Sequence, residues 1–267
     1  MKKLFLTTLL GLIGVSGFSQ GITIGVSTGV NNTFVLDKGL KQDPRFVPQN
    51  TYKWSPIGVS FGLDLTNRFG LQLEAIKNTA GQVYEIVDVY ENSVGKREMV
   101  MNYLSMPFML RFMDNQLNKP ANFNFMIGPQ LSLLTSGYES IQYASSDLKI
   151  PEGGEVPEGA VYNEANGSYT VPDKPYTVLA DQNGGEGKGK LNSTDLQLAM
   201  NFGVRVKLGA KMSLNADIRG LYSFTDIRSD EFVAMVQDGT ADFNDMIGRR
   251  ANLMLGAQLG LNYYIGF

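Results

Sequence analysis

Apolar residues recur at every second position in eight stretches of the chain. Ile22, Ile24, Val26, Thr28 and Val30 share one parity, with Thr23, Gly25, Ser27 and Gly29 between them. The same alternation runs through Ile57–Leu65, Phe69–Ala75, Tyr103–Phe112 and Phe123–Leu133. It returns in Asp195–Lys207, Ser213–Phe224 and Leu253–Phe267. Period two places alternate side chains on opposite faces of a strand, so the pattern predicts eight β-strands and no long helix. The last run alternates over fifteen positions. Strands of soluble proteins usually run about five or six residues, whereas ~9–11 tilted residues cross a bilayer. The intervening polar face is mostly Gly, Ser, Asn and Gln with few mixed charges. That suits a narrow lumen filled by side chains better than a solvated surface.

Connection lengths alternate as well. Strands two and three join through Asn67-Arg68, four and five near Met113–Ala121, and six and seven through Gly209–Lys211. Between them fall the longer stretches Asn31–Lys53, Thr135–Ser193 and Asp226–Gly248. A hairpin over Gln82–Glu98, turning near Asn92–Gly95, joins strands three and four. Together these predict an all-β fold: an eight-stranded antiparallel up-and-down transmembrane β-barrel with long extracellular loops and periplasmic termini. Phe69, Phe112, Phe123, Tyr263 and Phe267 fall near one edge, and Tyr222 and Phe224 near the other. All share the outward parity expected of interfacial aromatic girdles. Trp54 fits that parity only if Ser55-Pro56 forms a bulge.

The N-terminus carries an address. Lys2 and Lys3 precede the apolar stretch Leu4–Val15, followed by the small residues Ser16, Gly17 and Ser19. This order predicts a signal peptide over residues 1–19, cleaved near Ser19–Gln20, with residues 20–267 forming one barrel domain. No apolar run after Gln20 reaches the ~18 residues of a membrane-spanning helix.

Composition narrows the chemistry. The 267 residues include 30 Gly, only 18% are charged, and there is neither Cys nor His. Thiolate metal sites, Cys nucleophiles, His ligands and His-assisted Ser or Asp sites are therefore excluded. The expectation is a non-enzymatic protein without metal or cofactor. Without Lys2 and Lys3 the mature chain holds 21 basic and 26 acidic residues, a net charge of −5 and no footprint for nucleic acid.

Four segments resemble a known family. Asn102-Tyr103-Leu104-Ser105-Met106-Pro107-Phe108 resembles the Tyr-Leu-x-x-Pro strand of PorT-like outer-membrane barrels of Bacteroidetes. Ile127-Gly128-Pro129-Gln130-Leu131 is similar to the Gly-Pro strand that follows it there. Phe18-Ser19-Gln20 is similar to signal-peptide ends in those bacteria. Gln258, Gly260, Tyr263, Ile265 and terminal Phe267 resemble the C-terminal signal read by the barrel-insertion machinery, two residues early in register. The resemblance covers residues 20–267 and implies an eight-stranded outer-membrane barrel. Through the family's named member it also implies an accessory link to type IX secretion.

Inward parity nominates a lumen network of Asp64, Glu74, Asp195 and Asp217 with Arg111, Arg205, Lys207 and Arg219. Buried charges must be paired, so a plug of ion pairs closing the bore is expected; an ion or proton path is the alternative. Outer-membrane lipid and the insertion machinery are the expected partners. The long loops offer a surface for a receptor or adhesin role. Within the longest, residues 160–163 and 168–171 predict a small hairpin around Glu164–Gly167. The acids Asp147, Glu152, Glu155, Glu158 and Asp181 match no EF-hand spacing, and Gly184–Lys190 lacks the ending of a phosphate loop. Asp226, Asp230 and Glu231 could pair near the top of strand seven, and Glu231–Val236 could form a short capping helix.

Overall fold

In the computed structural model of the chain, the described residues are 21–87, 93–114, 120–143, 147–149, 156, 159–170, 175–178, 190–240 and 247–266. Residues 1–20 with the expected signal peptide, Phe267, most of the loop acids and Gly184–Gly189 lie outside them.

Eight long strands form a closed antiparallel ring. They are β1 (Gly21–Asp37), β2 (Thr51–Asp64), β3 (Phe69–Val87), β4 (Ser93–Met113), β5 (Ala121–Tyr143), β6 (Thr194–Lys207), β7 (Met212–Ser223) and β8 (Arg250–Gly266). Each pairs with its sequence neighbours, and β1 closes on β8 over seventeen positions, from Gly21↔Gly266 to Asp37↔Arg250. Closure leaves no unpaired sheet edge along the wall, the condition for β-structure to exist in hydrocarbon. The short connections join strand ends on the side of Gly21 and Gly266, and the strand ends that lead into the longer connections lie on the other side.

Alternation decides which side chains enter the bore. Val26, Val59, Leu73, Phe108, Phe202, Ile218 and Leu259 project outward and are exposed. Thr23, Gln72, Ser105, Asn201 and Asn262 on the same strands, and Asn124 and Gln130 on β5, are buried inside. On the outer wall Phe69 meets Phe112 edge-on at 5.4 Å, Phe112 lies 5.9 Å from Phe125, and Phe123 stacks on Phe202 at 6.2 Å. Tyr222 and Phe224 pair at 5.7 Å toward the opposite rim. Trp54 faces outward because the β1–β2 register shifts between Ser27 and Gly29, leaving both Pro56 and Ile57 on the outside. Its indole N–H donates to Thr28 Oγ1 at 2.8 Å.

The strands outrun the sequence expectation. β1 continues past Asn31 to Asp37, β2 begins at Thr51, and β5 continues past Thr135 to Tyr143. Ser93 and Gly95 are paired in β4 and so belong to the strand, not to the turn expected near Asn92–Gly95; Asn92 lies outside the described residues. The cause is a partial inversion of polarity. In these extensions apolar residues enter the bore, Val35, Tyr84, Met99, Met101 and Leu134, beside the polar Thr33, Gln82 and Arg97, whereas Lys96 is exposed. A rule of apolar outside and polar inside ends where that inversion begins. Leu40, from a short 3-10 turn over Leu40–Gln42, drops into the same apolar cluster. Strands Phe46–Gln49 and Pro175–Val178 pair with β3 and β5 and widen the projecting wall.

Two local devices appear in the longer connections. Val161–Asn163 pairs with Ser168–Thr170, with Gly167 at φ +67° in the turn, forming the small hairpin expected there. The helix α1 (Asp230–Gln237) is capped by Ser229, whose hydroxyl accepts from the Phe232 N–H, and it buries Phe232 and Val236.

Two prolines interrupt adjacent ladders. Pro107 lacks an N–H, and β3–β4 pairing skips from Leu73↔Phe108 to Ile76↔Ser105. Pro129 does the same in β5, where pairing with β4 skips from Pro107↔Gln130 to Leu110↔Ile127. Gly128 lies inside this gap, and a Cβ there would collide with the Phe108 carbonyl oxygen. Gly128→Val is therefore expected to reduce the fraction of heat-modifiable, folded barrel after refolding in detergent, at a cost of about 1–3 kcal/mol. Gly209→Val, with nothing within 4 Å, should refold as the parent does. On the outer wall, Leu259→Arg should lower unfolding stability in lipid vesicles by about 2–4 kcal/mol if this face meets lipid; no loss would mean that it does not.

Candidate functional site in the barrel lumen

The bore of an eight-stranded barrel is about as wide as its own side chains, so inward polar groups must satisfy one another. Many of them do so in three tiers that cross from wall to wall.

The lowest tier begins near the short connections. Arg111 on β4 pairs with Asp64 on β2, and its Nη1 donates to Gln72 Oε1 at 3.1 Å. Gln72 Nε2 donates to Glu74 Oε1 at 2.6 Å. Glu74 on β3 then meets Arg219 on β7, four strands away around the ring. Arg219 Nε donates to Asn201 Oδ1 at 2.8 Å. One relay thus joins two ion pairs through a glutamine. Both arginines and Glu74 are buried.

The second tier surrounds a carboxylate. Asp195, at 1% exposure, accepts from Ser223 Oγ at 2.6 Å, Gln197 Nε2 at 2.7 Å, Thr225 Oγ1 at 2.8 Å and Asn252 Nδ2 at 3.0 Å. Four donors of neutral side chains replace the cation expected from the sequence, so Asp195 makes no ion pair among the described residues. Asn252 Nδ2 also reaches Tyr103 Oη on the opposite wall at 3.3 Å. Gln130 Nε2 donates to Gln197 Oε1 at 2.5 Å, and Ser105 and Ser132 share a hydrogen bond at 2.9 Å.

The third tier lies beyond an apolar layer of Val35, Tyr84, Met99, Met101 and Met254. Arg97 pairs with Glu139, Arg250 pairs with Asp37, and Arg250 Nη1 lies 3.6 Å from Glu139, linking the two pairs across the bore. Asp37 Oδ1 also accepts from the backbone N–H groups of Gly39 and Leu40 at 2.8 and 3.0 Å, holding the cap in place. Tyr84 donates to the Val35 carbonyl at 3.0 Å, and burial together with the nearby Asp37 carboxylate raises its pKa.

The remaining nominated residues are distributed differently from the expected plug of pairs. Asp217 accepts from Asn124 Nδ2 at 3.1 Å and makes no ion pair among the described residues. Arg205 Nε donates to Asn215 Oδ1 at 3.3 Å. Lys207 is exposed at the short-connection mouth, not enclosed in the bore, because the last position of β6 lies past the buried part of the wall. The residues picked out by resemblance have structural surroundings. Tyr103 and Pro107 face inward, Leu104 faces outward, and Gly128-Pro129 forms the ladder gap. Gln258 Nε2 donates to Ser27 Oγ at 2.8 Å, Gly260 lies opposite Asn215 and Ser27, and Tyr263 and Ile265 face outward. Asp226 pairs with Arg228 at 3.1 Å, not with Asp230 or Glu231.

Sequence reasoning missed Asp37, Arg97, Glu139 and Arg250, all of which lie outside the eight alternating runs. It also passed over the amides Gln72, Gln197, Asn201 and Asn252, which join the charged groups. Inward parity on a strand marks Gln72, Gln197 and Asn201; Asn252 falls one residue before the last run.

At the short-connection mouth the bore widens into a vestibule of about 340 Å³. Arg205, Lys207, Lys211, Asn122, Asn124 and Tyr264 line it, with Phe123 and Met212 at the rim. A second, mid-bore gap beside Ser55, Asn78 and Arg219 holds only about 10 Å³, room for a single water. Among the described residues no three Asp or Glu side chains lie close enough to hold a metal ion.

No curated protein matches the chain in sequence. Among solved structures it is similar to the attachment invasion locus protein Ail of Yersinia pestis, with 10% identity over 92% of this chain and 99% of that one and a TM-score of 0.37. It is similar to the outer membrane protein OprG from Pseudomonas aeruginosa, with 9% identity over 93% and 98% and a TM-score of 0.43. It is also similar to the outer membrane protease OmpT from Escherichia coli, with 12% identity over 92% and 97% and a TM-score of 0.43. The family model for the outer membrane protein beta-barrel domain matches residues 18–229, most of the chain. With that match and a closed ring of eight antiparallel strands, the chain belongs to the outer membrane protein β-barrel domain family.

Proposed function

We propose that this outer-membrane barrel is a non-enzymatic scaffold that closes its own lumen and acts through the surface beyond the bilayer. The observation that carries the reading is the set of three side-chain tiers crossing the bore, with an apolar layer beneath the third. A conducting barrel needs a continuous wet path, and these contacts occupy it from wall to wall. Catalysis finds no support in the same geometry. Ser223 lies beside Asp195, yet the sequence has no His to act as its base, and both groups are buried within the bore.

In this reading residues 1–19 direct export, the termini and short connections face the periplasm, and the long connections face outward. Two features support an interaction role there. β3, β4 and β5 run 19, 21 and 23 residues, well beyond a bilayer crossing, and two further strands widen them. Residues 144–193 carry eight Asp or Glu against four Lys, an acidic surface suited to a basic partner or bridging cations. An accessory role in type IX secretion is the alternative implied by the PorT-like segments.

Purified barrel reconstituted in a planar bilayer should give no stable currents at neutral pH; large, long-lived single-channel steps would overturn the closed-lumen reading. Within the lumen, Glu74→Gln should destabilise the barrel by about 3–5 kcal/mol, because Arg219 would stay buried without its counter-ion. Pairing Glu74→Leu with Arg219→Met should restore most of that stability in denaturant titrations. A double variant as unstable as the single one would show that the pair is not an isolated element of the lumen.

A further inference from the structure

We propose that the short-connection vestibule is a binding site for a phosphate-type oxyanion, supplied by an anionic lipid headgroup at the membrane surface or by a free phosphate ester. Its volume, about 340 Å³, falls within the range of small-ligand pockets. Bases outnumber acids in its lining. Arg205, Lys207 and Lys211 line it with the carboxylates of Asp64 and Asp114, and the Asp217 carboxylate stands near Arg205 further in. Asp64 is already engaged by Arg111 deeper in the bore. Asp114 lies exposed at the rim.

A second observation points to a missing acceptor. Arg205 directs Nε to Asn215 and Nη1 to the Met113 sulfur at 3.9 Å, while its buried Nη2 has no hydrogen-bond partner among the described residues. A guanidinium offers donors in a planar fork that fits phosphate oxygens, and a buried donor left unmade is costly. An oxyanion entering from the mouth would complete that fork and lie near the ammonium groups of Lys207 and Lys211. Neutral donors from Asn122 and Ser213 line the same wall. Phe123 and Met212 lead from the outer wall to this mouth and are both exposed. A lipid could therefore rest its acyl chains on the outer wall with its phosphate in the vestibule.

The test uses the full mature barrel in a zwitterionic detergent, titrated with dihexanoyl phosphatidylglycerol, dihexanoyl phosphatidylcholine and sn-glycerol 3-phosphate. Binding is read by calorimetry and by retention in native mass spectrometry. Phosphatidylglycerol should bind at least about tenfold more tightly than phosphatidylcholine, and Arg205→Gln should remove about tenfold of that affinity. Lys211→Gln, on the exposed rim, tests the site without disturbing the lumen and should weaken binding severalfold. Lys96→Gln, exposed at the far end, should leave it unchanged. Heat-modifiable mobility confirms that each variant is folded. Binding of glycerol phosphate would support the site with a free ester as its occupant; binding of the lipid alone would support it with a headgroup. Equal affinity for the two lipids, or an affinity unchanged in both folded variants, would overturn the proposal.

Discussion

A strand inside hydrocarbon has no water to satisfy its backbone, so every N–H and C=O must find a partner in the next strand. Closing the ring is the one arrangement of a sheet that meets this demand on both sides. Here the seventeen pairings between β1 and β8 complete it, and all else in the molecule is a consequence. With eight strands, the bore is no wider than the side chains that point into it. Half of each strand must then be polar enough to avoid the lipid face and small or well partnered enough to fit inside.

The chain meets that second demand in two ways. Where the outer wall is apolar, the bore is filled by amides, hydroxyls and a few charges, and the amides join the charges into relays. Where the strands project further, the arrangement inverts. Val35, Tyr84, Met99 and Met101 form an inner apolar layer like the core of a soluble barrel, capped by Leu40 and by the Arg97–Glu139–Arg250–Asp37 cluster. The hydrophobic effect acts on both parts, but the solvent outside the wall changes from lipid to water. Burial of apolar surface follows that change.

The same inversion sets the limit of what could be read from the sequence. Alternation located all eight strands and the sequence of short and long connections, because one rule holds throughout the lipid-facing band. Segments such as Asn31–Asp37, where Thr33, Val35 and Asp37 all turn inward, mix polar and apolar residues on one face and read as connection. In the lumen, parity identified which charges enter the bore but not their depth, so Lys207 was placed too far inside. Nor could parity supply partners. Asp195 is held by Gln197 on its own strand, Ser223 and Thr225 at the end of β7 and Asn252 on β8, and the register of these three adjacent strands brings the side chains to one point. The Gly128-Pro129 pair was legible as a motif, whereas its cause, two offset ladder gaps against Pro107-Phe108, needed the register of three strands.

The Glu74–Arg219 contact has a consequence for assembly. The two residues are 145 positions apart and stand on opposite walls, so neighbour-by-neighbour strand pairing cannot join them. They meet only when the five strands from β3 to β7 have curved through half the ring. Until then each is a charge on the concave side of an open sheet, costly to carry into lipid and best kept in water. The pair therefore rewards curvature: its stabilisation becomes available only once those five strands stand as half a ring.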